Sequence, residues 1–230
     1  TNAIRHYKTQ KPMKLIKYIF IHPSPGVWSK DNNARIRDEN RSLGFSLGSF
    51  LKRNKIYGDK FDGVYFEGVK KPSEQPNIAN KLLIVQIIFD EVAYPKNIDK
   101  IKINEYLIDR IYEGINQIKD AYPEISENLI NGIEEFRKNG YSCTWIHKKR
   151  KYENLKIELH CYLDLEFFNL SLIFYNKDNE ILFSKIILST PPNEFSFKHR
   201  FKDIIIKENI VIITDSNDIP FYRFNLSSLT

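Results

Sequence analysis

The chain has 230 residues, of which 42% are hydrophobic, enough to bury a core and too many for an intrinsically disordered protein. A mean hydropathy of −0.43, with no run near the ~18 uninterrupted apolar residues that a membrane helix requires, predicts a soluble globular chain without a transmembrane helix. The net charge is +6, a modest excess, because 35 basic residues are opposed by 29 acidic ones.

This charge is distributed unevenly along the chain. Residues 1–60 carry a net charge of +9, residues 61–140 carry −4, and residues 141–230 carry +1. The basic excess therefore belongs to the first quarter, whereas the centre is acidic. Such segregation predicts two oppositely charged surfaces, either of which could meet a partner.

The N-terminal part, over 1–95, has mixed patterns. Residues 15–21 are β-branched and aromatic, which favours a strand, and residues 28–41 are polar and irregular. Residues 61–67 alternate as a strand does. Residues 82–89 form the most continuous apolar run, which predicts a strand buried on both faces.

One N-terminal segment has no single interpretation. In residues 42–49, apolar side chains lie between Gly44 and Gly48, a pattern that suits either a short helix or a bent strand. It superficially resembles a glycine-rich phosphate loop but lacks the required lysine. We interpret its glycines as sites of close packing.

The centre, over 97–140, is predicted to be an antiparallel pair of helices. Apolar residues recur there at spacings of three and four, as on one face of a helix. Asn97 or Asp99 would cap the first helix, Pro123 suits the first turn of the second, and Asn139 with Gly140 is a typical helix end. The two stripes comprise Leu107, Ile108, Ile111, Ile115 and Ile118, and then Ile125, Leu129, Ile133 and Phe136.

From residue 141 the pattern changes to a period of two, which predicts an antiparallel meander over 141–230. Its strands are 155–163, 167–175 and 181–188, followed by 203–206 or 210–214, and by 221–226. Strands, then helices, then strands indicate an α+β fold, with an antiparallel sheet packed with the helical pair, in a single domain over 1–230.

Cysteine and histidine positions indicate no metal site and no cofactor. Cys143 and Cys161 are too few for a disulfide framework. His160 and Cys161 are adjacent in a predicted strand, so their side chains point to opposite faces. Reduced thiols, and the absence of a signal-peptide pattern around Lys17, predict a cytoplasmic location.

Catalytic motifs are also missing from the chain. No nucleophile elbow, metalloprotease helix, P-loop or dinucleotide fingerprint occurs. Asp90 and Glu91 form the best carboxylate pair, at the end of a predicted strand. An enzyme whose groups meet only in space, around His22, Asp90 or His147, stays open.

Two charged surfaces are candidates for binding. Exposed acidic residues on the helical pair could meet a basic partner or could simply be solvated. The candidate partner-binding residues are Asp109, Glu113, Glu124, Glu127, Glu134, Glu135 and Trp145. The alternative is nucleic acid, bound by the basic N-terminal segment and by the run that follows Trp145, unless that run is a solvated connector. Its residues are Lys148, Lys149, Arg150 and Lys151.

The combination of the buried strand 82–89, the helical pair 107–136 and the meander 155–188 resembles the immunity proteins of bacterial polymorphic-toxin and contact-dependent growth inhibition systems. The resemblance concerns the general character of the chain and rests on no diagnostic motif. It implies a non-catalytic inhibitor that binds one cognate toxin domain and occludes its active site. No residue role can be transferred from it.

Overall fold

The computed structural model describes residues 13–229. Up to residue 138 the elements are β1 (Met13–Leu15), β2 (Tyr18–Pro23), α1 (Lys30–Glu39), α2 (Arg41–Arg53), β3 (Tyr57–Asp59), β4 (Gly63–Val69), β5 (Asn77–Ala79), β6 (Leu82–Ile88), α3 (Lys100–Ile118) and α4 (Pro123–Lys138). From residue 139 they are β7 (Cys143–Tyr152), β8 (Leu155–Leu163), β9 (Phe168–Tyr175), β10 (Ile181–Thr190), α5 (Glu194–Phe197), β11 (Asp203–Lys207), β12 (Ile210–Thr214), β13 (Pro220–Asn225) and a 3-10 turn, Leu226–Leu229.

The described residues form two compact units. Unit 1 comprises 13–34 and 44–138, and unit 2 comprises 35–43 and 139–229. The α+β class is confirmed, with antiparallel C-terminal sheets and a pair of packed helices. The single domain over 1–230 stays a prediction.

Unit 1 is built on a mixed sheet with the strand order β2-β4-β6-β5, in which the first three strands are parallel and β5 is antiparallel. Helix α3 covers one face, where Gly114 approaches Phe66 and Val85 so closely that a Cβ atom would overlap the Phe66 ring. The prediction that 82–89 is a strand is confirmed. Burial on both faces is wrong, because Ile88 is 48% exposed whereas Ile87 is fully buried.

The segment 42–49 is helical and belongs to α2. A Cβ atom on Gly44 would lie 2.7 Å from the carbonyl oxygen of Ile19, and one on Gly48 would lie 2.5 Å from that of Lys17. Because only hydrogen atoms fit at these positions, α2 can approach the backbone of the first strands. The interpretation of these glycines as close-packing sites is confirmed.

Helix α1 replaces the irregular segment expected over 28–41, so that prediction is wrong. At its start, the Glu91 carboxylate accepts hydrogen bonds from the Ser29 amide at 3.0 Å and from Asn32 Nδ2 at 2.8 Å. A carboxylate at a helix N-terminus satisfies free N–H groups and favours the helix dipole. Helix α1 is therefore stabilised by Glu91, a residue that does not belong to the helix.

We expect Glu91→Gln to destabilise the protein at neutral pH. Hydrogen bonds from the side chains of Ser29 and Asn32 hold the pKa of Glu91 below its ordinary value. A lowered folded-state pKa contributes stability above the unfolded pKa, and this contribution disappears as pH falls through the lowered value. Denaturant unfolding should therefore show a difference between wild type and variant at neutral pH that vanishes in acid.

The matched control is Asp90→Asn. The Asp90 Oδ1 atom accepts one local hydrogen bond from the Val92 amide, at 2.9 Å, which an asparagine oxygen can also accept. This variant should behave like wild type. A Glu91→Gln difference that persists unchanged at acid pH would contradict the capping role.

The helical pair is confirmed as α3 and α4, which pack against each other. Asp99, one of the two predicted caps, accepts a hydrogen bond from the Lys102 amide at 3.0 Å. Helix α4 ends at Lys138, and Gly140 follows with φ +65°, a left-handed conformation that glycine adopts without strain.

Unit 2 contains two antiparallel sheets, with strand orders β10-β9-β8-β7 and β11-β12-β13, so the antiparallel meander is confirmed. The sequence analysis left 203–206 and 210–214 as alternatives, and both form strands, β11 and β12, which pair with each other. The core stacks Phe168 on Phe197 at 3.8 Å between ring centroids, and Phe174 lies 4.9 Å from Phe224.

Candidate protein interface

The face of the unit 1 sheet opposite α3 is the principal candidate site, and we call it the open face. Strand alternation places on it the residues that pair in register across β2, β4 and β6. Tyr18 is 50% exposed and Phe20 is 44% exposed. The open face comprises Tyr18, Phe20, His22, Tyr65, Glu67, Val69, Leu82, Ile84, Gln86 and Ile88.

An aromatic cluster occupies one end of the open face. The rings of Tyr18 and Phe20 stack at 6.2 Å between centroids, and Phe20 meets Tyr65 edge-on at 6.4 Å. Burial, with the negative charge of Glu67 as a second cause, raises the pKa of Tyr65 to about 12. The Tyr65 hydroxyl is therefore neutral at physiological pH and donates to the His22 carbonyl at 3.3 Å.

A polar row crosses the other end, where His22, Glu67 and Gln86 align on neighbouring strands. This is the carboxyl end of the parallel strands, where ligands of open α/β sheets commonly bind. Glu67 accepts hydrogen bonds from Ser24 Oγ and from Gln86 Nε2, the latter at 3.0 Å. Both donors are neutral, and no ion pair within residues 13–229 neutralises this carboxylate.

Sequence reasoning missed the open face. The alternation was present, because Tyr18, Phe20 and His22 alternate with Ile19 and Ile21. Since both sets contain apolar side chains, the pattern does not show which face the helices cover.

The predicted acidic surface is half neutralised. Glu113, Glu134 and Glu135 form ion pairs with arginines: Arg110 at 2.8 Å, Arg137 at 2.7 Å and Arg53 at 2.7 Å. By contrast, Asp109, Glu124 and Glu127 are exposed and make no ion pair within the described chain. Of the six predicted carboxylates, these last three offer unpaired negative charge.

Glu113 also has a structural role at the edge of β6. Strand β5 pairs with β6 only over its first residues, 82–84. Beyond these residues, side chains of α3 form hydrogen bonds with the backbone of β6. Glu113 accepts a hydrogen bond from the Ile88 amide at 3.3 Å, and Arg110 donates one to the Ile88 carbonyl at 3.2 Å. Gln117 donates one to the Gln86 carbonyl at 2.9 Å. Helix α3 therefore closes this sheet edge.

Trp145 belongs to unit 2 and lies on the same face of the sheet as buried Cys161. Its ring packs on Phe168, with 5.9 Å between centroids, and the side chain is half-buried. This contact gives Trp145 a packing role.

The basic run lies in strand β7, so its interpretation as a connector is wrong. Lys148 and Arg150 both pair with Asp203, at 3.3 and 3.1 Å, and Lys149 pairs with Glu158 at 3.2 Å. Of the four residues, only Lys151 makes no ion pair within the described chain. These acidic partners reduce the positive charge available to phosphates.

Of the dispersed catalytic candidates, His22 and Asp90 lie in unit 1 and His147 lies in unit 2. His147 Nε2 lies 3.1 Å from the Lys202 carbonyl, and its ring meets Phe201 at 4.7 Å. No hydrogen bond or ion pair in the described part of the chain joins His22 to Asp90.

The cysteines are buried in unit 2. Burial raises the pKa of both the Cys143 and the Cys161 thiols to about 12, so both are protonated at neutral pH. As predicted, Cys161 and His160 lie on opposite faces of β8: Cys161 is buried, and His160 Nε2 lies 2.6 Å from Glu158 Oε2.

No helix among the described residues is long and apolar enough to span a membrane. Comparison with known proteins gave no matching protein-family model, no matching curated protein and no matching solved structure.

Proposed function

We propose that this protein is a stoichiometric binding protein that docks a partner protein on its open face. The observation that supports this most is the exposed aromatic cluster of Tyr18 and Phe20 beside Tyr65. Aromatic side chains supply much of the energy of protein interfaces. A contiguous exposed apolar surface with a polar rim is typical of an interaction site.

The chemistry of the partner follows from the polar row. Glu67 is held by the neutral donors Ser24 and Gln86, so its charge is available to a cation. A complementary partner presents an apolar patch with an arginine or lysine beside it. The unpaired carboxylates Asp109, Glu124 and Glu127 would attract such a basic partner over longer distances.

We further propose that the partner is a bacterial toxin domain, which this protein neutralises by covering its active site. The resemblance in general character to toxin-immunity proteins supports this class of partner. A surface that favours a basic protein suits a toxin that itself binds an anionic substrate.

The test has two stages. A tagged copy purified from the native host should retain one partner at 1:1 stoichiometry, encoded by the adjacent gene. The reconstituted pair should then show that the partner's toxicity and enzymatic activity are lost on binding. A protein purified without such a partner would overturn the proposal.

Substitutions on the open face test whether it is the interface with the partner protein. We expect Phe20→Lys to weaken binding by roughly thirtyfold, as for a hot-spot residue worth about 2 kcal/mol, and Glu67→Gln to reduce the salt dependence of binding. The control is Ile101→Lys, which also charges an exposed apolar residue of unit 1, at 60% exposure on α3. An unchanged dissociation constant for Phe20→Lys in calorimetry would exclude the open face.

A further inference from the structure

Three lysines lie together at the amino end of the unit 1 sheet, and we call them the lysine edge. Lys17 and Lys81 directly precede the strands β2 and β6, and Lys60 lies in the short connection from β3 to β4. The Lys17 amide donates to the Asp62 carbonyl at 2.8 Å, and the Asp62 amide donates to the Lys81 carbonyl at 3.0 Å. These backbone hydrogen bonds hold three segments that are distant in sequence next to each other.

The ammonium groups of the lysine edge have no acidic partner among residues 13–229. All three lysines are exposed, and none forms an ion pair or a side-chain hydrogen bond there. The neighbouring carboxylates of Asp59 and Asp62 form no ion pair either, so they lower the local charge without occupying the lysines. The basic run of unit 2 differs, because Lys148 and Lys149 are paired with carboxylates. The lysine edge therefore offers positive charge to an external anion.

Backbone conformation supports a role for these side chains. Lys60 has φ +67° and Lys81 has φ +65°, in the left-handed region where a Cβ atom costs conformational energy. Lys81 and Asn80, at φ +51°, form the two-residue turn between β5 and β6, whose second position favours glycine. Lysine thus stands at two exposed positions that other residues would occupy at lower cost, which indicates that the ammonium groups are used.

The lysine edge borders the aromatic end of the open face. Tyr18, Gly63 and Leu82 form the first row of the parallel register. A Cβ atom on Gly63 would lie 2.7 Å from Leu82 Cδ2 and 3.2 Å from Tyr18 Cβ, so these two side chains converge over the glycine. A partner that covers this row also reaches the lysines that immediately precede it.

The other end of the open face carries the opposite charge. The polar row with Glu67 lies five residues further along the same strands than positions 17, 62 and 81. At the usual rise of a strand, five residues separate the two ends by roughly 16 Å. The open face therefore has a positive and a negative rim, with the rings of Tyr18 and Phe20 between them.

We propose that the lysine edge receives acidic side chains of the partner protein and thereby fixes one orientation of docking. This inference rests on the proposed function, because it assigns a second charged group to the partner of the open face. The partner presents carboxylates roughly 16 Å from the base that meets Glu67, with its apolar patch between them. A partner rotated by half a turn in the interface would bring like charges together at both rims, which costs affinity.

Zero-length crosslinking of the purified 1:1 pair tests this contact. A carbodiimide joins a lysine amine to a carboxylate in direct contact as an amide, and takes up the water that is lost. Mass spectrometry of the digested pair should find Lys17, Lys60 or Lys81 joined to an aspartate or glutamate of one partner segment. A 1:1 pair in which none of the three is crosslinked would overturn this inference and leave the proposed function intact. Recovery of no partner would overturn both.

Charge reversal measures the contribution of the lysine edge. The double variant Lys17→Glu and Lys81→Glu should weaken binding of the captured partner by at least about tenfold in calorimetry. The matched control is Lys71→Glu with Lys96→Glu, which makes the same change in net charge at exposed, unpaired lysines in the segments after β4 and β6. This control should not weaken binding. Equal weakening by both double variants would show a long-range charge effect and overturn the inference.

Single-stranded nucleic acid is the other anion that lysines beside aromatic rings bind. A fluorescein-labelled oligothymidylate titrated into the free protein at physiological salt should give no change in anisotropy. Tight binding of this oligonucleotide that the Lys17→Glu and Lys81→Glu variant loses would assign the lysine edge to nucleic acid and overturn the inference.

Discussion

Phe168→Ala should be the most destabilising single substitution that we predict, lowering the free energy of unfolding by about 3–5 kcal/mol. Phe168 is fully buried, and its ring stacks with Phe197 at 3.8 Å and with Phe201 at 5.5 Å between centroids. Alanine removes the transfer free energy of the ring and leaves a cavity that the surrounding sheets fill only in part.

The measurement is denaturant unfolding followed by tryptophan fluorescence. Each unit contains one of the two tryptophans, Trp28 in unit 1 and Trp145 in unit 2. In a Trp28→Phe background the signal therefore reports on the unit that contains Phe168. This separation matters because two units need not unfold in one transition.

The matched control is Phe167→Ala, one residue earlier. Phe167 is 37% exposed and contacts Tyr162 at 5.8 Å between centroids, so its truncation should cost less than about 1 kcal/mol. Equal losses at both positions would contradict the packing of unit 2.

Gly48→Ala should lower the free energy of unfolding by about 1–3 kcal/mol, as overpacking substitutions do. Helix propensity alone predicts the opposite sign, since alanine in a helix interior is favoured over glycine by roughly 0.5–1 kcal/mol. The steric effect dominates because the new methyl group would lie 2.5 Å from the Lys17 carbonyl oxygen. That atom is backbone, so it cannot rotate away.

Fluorescence of Trp28 in a Trp145→Phe background measures this effect, because Trp28 reports on unit 1. Ser49→Ala is the control. Ser49 is the next residue of α2 and is exposed, so alanine should be neutral or stabilise by a few tenths of a kcal/mol. A stabilising Gly48→Ala would show that α2 does not approach the first strands as described.

The elements that sequence patterns predicted well are those whose hydrophobic period can be recognised within a few residues of the chain. The stripe through Ile108, Ile111 and Ile115 identified α3, and alternation identified β8 and β9. Helix α1 was missed because it is polar along its length, and it begins where Glu91, from a distant loop, caps its amino end.

The candidate site was less accessible to sequence reasoning. Acidic residues were correctly placed on helix surfaces, but their partners Arg53, Arg110 and Arg137 reduce the free charge. The basic run likewise meets Glu158, on the neighbouring strand β8, and Asp203, on β11 much later in the chain. Arg110 and Arg137 lie three residues from Glu113 and Glu134, a helical spacing that the sequence shows, whereas the pairing of Arg53 with Glu135 is decided only by the tertiary structure.

The sequence by itself determined the α+β class, the helical pair and the antiparallel C-terminal strands, because hydrophobic period and turn residues act over a few positions. Tertiary structure alone decided which face of the unit 1 sheet the helices cover, and therefore that Tyr18 and Phe20 are exposed. Both faces of these strands contain apolar residues, so their patterns are equivalent until α3 packs on one of them.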